Sequence, residues 1–142
     1  MEHLSKENIL KRAEKTRKED VERLISKERK FKKKSWGLFD RLKEEVSKAV
    51  MFFYMVKDYA LGKYRKLPWK IVSAAAFASI YFLTPFDILP DFIPIIGMTD
   101  DAFVITVVWE LVKMDVEEYA HWKIDQDPDE MFKKVYKVVF GG

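Results

Sequence analysis

Residues 71–83 read IVSAAAFASIYFL. Every position is apolar or small, so a helix built from them has no face suited to water. A helix apolar all round is buried, in protein or in lipid. Pro68 opens it and Thr84-Pro85 stops it. The stretch that follows, TPFDILPDFIPIIGMTDD (84–101), holds Pro85, Pro90, Pro94 and Gly97, too many breakers for a long helix. Thr99-Asp100-Asp101 then offers an N-cap and acidic first-turn residues. Ala102 to about His121 reads as a helix that is apolar first and polar later. The expectation is a central apolar helical hairpin around an Asp/Pro-rich turn.

Outward from that hairpin the chain is helical in pattern. Leu38, Phe39, Leu42, Val46, Ala49, Val50, Phe53, Val56, Ala60 and Tyr64 recur at spacings of three and four, the signature of an amphipathic helix over 38–64. Asp58 lies off that stripe, and Gly62 and Leu67-Pro68 end the helix. Asp127-Pro128-Asp129-Glu130 starts a last helix with Met131, Phe132, Val135, Val138 and Val139 on one face. From Ser5 to about Lys34 a run rich in Glu, Lys and Arg reads as one long, mostly exposed helix. No strand pattern emerges. The fold class is therefore all-α, with about five helices. It divides into a basic N-terminal arm, 1–34, and a helical domain, 35–142.

The 142 residues suit one core. Hydrophobic residues make up 49% and charged residues 35%, which excludes a polytopic membrane protein and wholesale disorder. With no cysteine, disulfides, thiolate metal sites and a cysteine nucleophile are excluded. The first residues lack the apolar core of a secretory signal, which fits a cytoplasmic start. Net charge is +3, unevenly spread: residues 1–34 hold 13 Lys/Arg against 7 Asp/Glu, and the remainder is net acidic.

Tyr81, Pro85, Asp87, Leu89, Pro90, Asp91, Pro94, Gly97, Asp100 and Asp101 form the pattern Y-x3-P-x-D-x-L-P-D-x2-P-x2-G-x2-D-D. This pattern resembles the signature of the YkvA family, a bacterial domain of unknown function, over roughly residues 70–110. The resemblance implies no reaction, substrate or cofactor. It does imply a membrane setting, since members are often taken to be membrane proteins.

The aspartates admit two readings from the residues alone. Asp87, Asp91, Asp100 and Asp101 all stand at or near candidate helix starts, where a carboxylate contributes about 0.3–1 kcal/mol. Alternatively, Asp87 and Asp91 share a face at i, i+4, and Asp100 or Asp101 could stand opposite. Such an oxygen-only set suits Mg²⁺ or Ca²⁺. Capping ranks first. No G-x-S-x-G, H-E-x-x-H or glycine-rich phosphate loop accompanies these residues, and an enzyme of unknown reaction ranks third among functions. No cofactor is expected.

Residues 71–112 carry no basic side chain, and Lys63, Arg65, Lys66, Lys70 and Lys113 flank them, with Trp69 and Trp109 near the ends. Basic residues on both sides fit a hairpin with both ends cytoplasmic. The apolar runs are shorter than the roughly 20 residues of a full span, so a re-entrant hairpin and a buried soluble bundle both stay open. Lys30, Phe31, Lys32, Lys33, Lys34 and Trp36 form a basic-aromatic cluster that would attract anionic lipid. The leading expectation is a membrane-associated domain with a structural or interaction role at the cytoplasmic face of the cell membrane. The alternative is a soluble cytoplasmic module that binds a divalent cation or a partner protein through its aspartates. Membrane lipid or a membrane protein ranks first among partners. Self-association stays open, and nucleic acid ranks last.

Overall fold

The computed structural model describes residues 5–83 and 98–141, with the side chains of 98–101 excepted. Among these residues there are seven helices: α1 (Lys6–Ala13), α2 (Lys18–Ser26), α3 (Glu28–Leu38), α4 (Lys43–Ala60), α5 (Trp69–Leu83), α6 (Met98–Ile124) and α7 (Glu130–Phe140). The all-α reading stands, but the expected count of about five is corrected to seven.

The extra helices come from the N-terminal run. Ser5 caps α1, its side chain accepting from the Asn8 N–H at 3.1 Å. A turn at residues 14–17 ends that helix, and the Asp20 carboxylate accepts the Arg17 N–H at 2.9 Å where α2 begins. Lys27, at φ −104° and ψ 25°, makes the elbow between α2 and α3. The expected single long exposed helix is thus three short ones. Most of its charged residues face outward, but Ile9, Ala13, Val21, Leu24 and Phe31 are buried in the common core. Sparse apolar residues, too few for one amphipathic stripe, suffice when each short helix turns its own two or three inward.

α4 is the hub. Every residue from Ala49 to Val56 is buried, because α2, α3, α5, α6 and α7 surround it. Gly62, at φ +80°, closes it, and the N–H groups of Lys63 and Tyr64 turn back to the Asp58 carbonyl at 2.8 and 3.2 Å. Two buried serine hydroxyls are satisfied within their own helices, whereas that of Ser47 has no hydrogen-bond partner among the described residues. Ser35 Oγ donates to the Phe31 carbonyl at 2.9 Å and Ser79 Oγ to the Ala75 carbonyl at 3.0 Å.

α5 packs on α4 more extensively than on α6, its expected hairpin partner, and α1, α2 and α3 cover the rest of it. The expected self-contained apolar hairpin is therefore corrected to a bundle centred on α4, and the Asp/Pro turn itself, 84–97, lies outside the described residues. α6 begins at Met98, so Thr99, the expected cap, lies inside the helix.

The membrane reading falls with the hairpin. Among the described residues no helix is long and apolar enough to cross a membrane. At 1.5 Å per residue, α5 is about 22 Å long against a hydrocarbon core of about 30 Å. Its all-round apolarity is met by five protein neighbours. The expected membrane-associated function and the expected placement at the cytoplasmic face of the cell membrane are accordingly corrected.

Candidate functional site

The polar centre of the described structure is a network of carboxylates, phenols and ammonium groups joining α3, α4, α6 and the start of α7. Asp58 lies in the last turn of α4 and is only 2% exposed. Tyr119 and Lys123, at i, i+4 on α6, face it together. The Tyr119 hydroxyl donates to Asp58 Oδ2 at 2.6 Å, and Lys123 Nζ lies 2.8 Å from the same oxygen. Burial, and then the charge of Asp58, push the Tyr119 phenol far above the ordinary range.

The second centre is Asp129, the N-cap of α7. It accepts the Phe132 N–H at 3.0 Å and the Tyr54 hydroxyl at 2.7 and 2.8 Å. Lys32 Nζ stands 3.5 Å away. Burial alone would raise the Asp129 carboxyl, but these donors outweigh it and hold the group below its ordinary value. Burial and the Asp129 hydrogen bond push Tyr54 well upward.

Glu28 extends the chain of charges. Its carboxylate lies 2.8 Å from Lys57 Nζ and 2.9 Å from Lys32 Nζ. Against the cost of burial, the two lysines lower the Glu28 pKa, and Glu28 with Asp129 raises that of Lys32. The geometry pins four helices together. Both phenols keep their protons tightly, and each carboxylate is already engaged.

Sequence reasoning placed Asp58 off the buried stripe of its helix, whereas the structure buries it. The one available signal was Tyr119 and Lys123 at i, i+4, but nothing in a linear pattern selects their partner 61 positions upstream.

The residues singled out by sequence are distributed differently. Tyr81 is buried in α5. Pro85, Asp87, Leu89, Pro90, Asp91, Pro94 and Gly97 lie outside the described residues. Asp100 and Asp101 lie in the first turn of α6, where the backbone alone is described. Among the described residues no group of three or more His, Asp or Glu could hold a metal ion.

The basic-aromatic cluster is divided. Phe31 is fully buried and stacks on Phe53 at 4.6 Å. Lys32 joins the network, and Lys34 donates to the Phe82 carbonyl in the last turn of α5. Lys30 and Lys33 are exposed, as is Trp36, at 47%.

Comparison with known proteins points to the other half of the molecule. Residues 72–107 match the family described as "Protein of unknown function (DUF1232)". The chain is 34% identical over 73 residues to the "Uncharacterized membrane protein YkvA" of Bacillus subtilis (strain 168), covering 51% of this chain and 69% of that protein. No solved structure matches.

Proposed function

Because the chain belongs to the DUF1232 family, whose match falls on residues 72–107, we propose that it is a helical interaction module that binds a partner protein through the acidic segment joining α5 to α6. The observation that carries this reading is one of position. Residues 72–107 contain all four aspartates, Asp87, Asp91, Asp100 and Asp101, and no member of the polar network. The network belongs to the frame, and the family resemblance belongs to the segment the frame carries.

The chemistry of that segment selects the partner. Residues 84–101 hold four carboxylates and no Lys, Arg or His, so a basic docking surface is complementary. The ends of the segment are well anchored. α5 and α6 pack on each other and on α4, and Lys34 satisfies a last-turn carbonyl of α5. Anchored ends reduce the ordering cost of binding. On this reading the chain recognises a partner and turns over no substrate.

The test uses the whole chain and a variant with Asp87, Asp91, Asp100 and Asp101 all changed to Asn. Wild type retains a partner that raised salt releases, and the variant loses it while still melting cooperatively, its melting temperature lowered only by the lost helix-start charges. Equal retention by both chains would sink the reading. A rise in melting temperature with Mg²⁺ or Ca²⁺, absent in the variant, would give the carboxylates to a cation instead.

A further inference from the structure

The cations of α3 fall into two sets. Lys32 and Lys34 are bound to protein groups: Lys32 to Glu28 and Asp129, Lys34 to the Phe82 carbonyl and over the Phe82 ring at 4.9 Å. Arg29, Lys30 and Lys33, with Lys27 at the elbow, pair with no carboxylate among the described residues. These four line an open cleft of about 730 Å³ where α2 meets α3. Glu28 also borders the cleft, but its carboxylate is held by Lys32 and Lys57 and leaves the four cations uncompensated.

The alignment continues past the cleft. Arg29, Lys33 and Trp36 follow one another within α3 at spacings of four and three, which keeps them on one helical face. At 1.5 Å per residue that face is about 10 Å long. Trp36 is 47% exposed at its far end, and Lys134 of α7 adds a cation 5.6 Å from the ring centre. Apart from Glu28, the next carboxylates along the chain on either side are Glu22, in α2, and Asp40, past the end of α3.

We propose that this face binds single-stranded nucleic acid, with Lys27, Arg29, Lys30 and Lys33 on the phosphates and Trp36 stacked on a base. A linear phosphodiester supplies what the face lacks: repeated negative charge along a narrow line and a planar group at one end. A groove of cations with an aromatic platform is how strands are held without sequence preference. A duplex hides its base faces and would leave Trp36 unused. This proposal is independent of the acidic segment, whose carboxylates would repel the same ligand.

The test is fluorescence anisotropy of a labelled oligothymidylate, repeated with inorganic polyphosphate as competitor. Affinity falls with salt at a log–log slope of about −3 for four phosphates neutralised on a single strand. Arg29→Gln with Lys33→Gln weakens binding about tenfold or more and halves that slope. Lys63→Gln with Lys66→Gln, an equal charge change at exposed positions elsewhere, leaves both unchanged. Trp36→Ala weakens oligonucleotide binding about tenfold, as loss of one stacking contact does, but leaves polyphosphate binding unchanged. All these side chains are exposed or half-exposed, so melting temperatures hold. Absence of binding at low salt, equal losses in the two double variants, or indifference of the oligonucleotide to Trp36→Ala would each overturn the proposal.

Discussion

Asp58 Oδ2 accepts from a phenol and meets an ammonium with one buried oxygen. Removing the charge leaves Lys123, itself largely buried, without its counter-ion, and breaking one side of such a pair costs about 3–5 kcal/mol. Asp58→Asn keeps an acceptor for Tyr119, so the lower end, about 3 kcal/mol, is expected in urea unfolding. Asp58→Asn with Lys123→Met should recover part of that loss. Additive losses would show that the pair is not coupled. Acid acts on a different pair. Asp129 and Glu28 have lowered folded-state values, so the unfolded chain binds protons first. Their contribution is complete above the ordinary carboxylate range and is lost as pH falls through the lowered values. Urea midpoints should therefore drop below about pH 4, and Asp129→Asn should flatten that limb. At the alkaline end Tyr54, Tyr119 and Lys32 are raised. The unfolded chain gives up its protons first there, and stability should fall above about pH 10.

α5 shows how composition sets an element's place. Ala74, Ala75, Ala76 and Ala78 are all buried among five neighbouring helices. Small side chains let those helices approach closely, so Ala75→Leu overpacks the contact and should cost about 1–3 kcal/mol. α1 is the sharper case. Its charged sequence reads as solvated, yet Ile9 is fully buried. Ile9→Ala should cost about 2–5 kcal/mol in urea unfolding. A loss near zero would mean that α1 does not dock. The element starts at Ser5 and Asp129 were legible because capping is local, a side chain reaching a backbone N–H three residues on. The break at Lys27 was not, since no Gly or Pro marks it and only the docking of α2 and α3 on the bundle calls for it.

For the whole molecule, the covering of α5 is shared between sequence-distant helices. α1, α2 and α3 cover part of it and α4 and α6 pack on the rest. A chain lacking residues 1–26 should therefore expose apolar α5 surface and self-associate in size-exclusion chromatography, whereas a detachable arm would leave a monodisperse remainder. The same arrangement separates the basic face of α3 from the polar network. Lys32 turns inward to Glu28 and Asp129 while Lys33, the next residue, stays exposed.

Legible in the amino acids alone were the helical class, the burial of 71–83, a last helix starting within 127–130, the uneven charge and the family. Each of these rests on periodicity, local capping, composition or a short motif, and all are readable within a turn or two of chain. The tertiary structure alone decided that α4 is the hub, that the charged N-terminal run folds as three docked helices, and that α5 is sheathed by protein. It also decided that Asp58 belongs to Tyr119 and Lys123. The physical reason is common to all four: burial of a side chain is set by what packs against it from far along the chain. An apolar helix reads the same whether its neighbours are helices or lipid, and a lone carboxylate reads as solvated until its partner, 61 residues away, is folded against it.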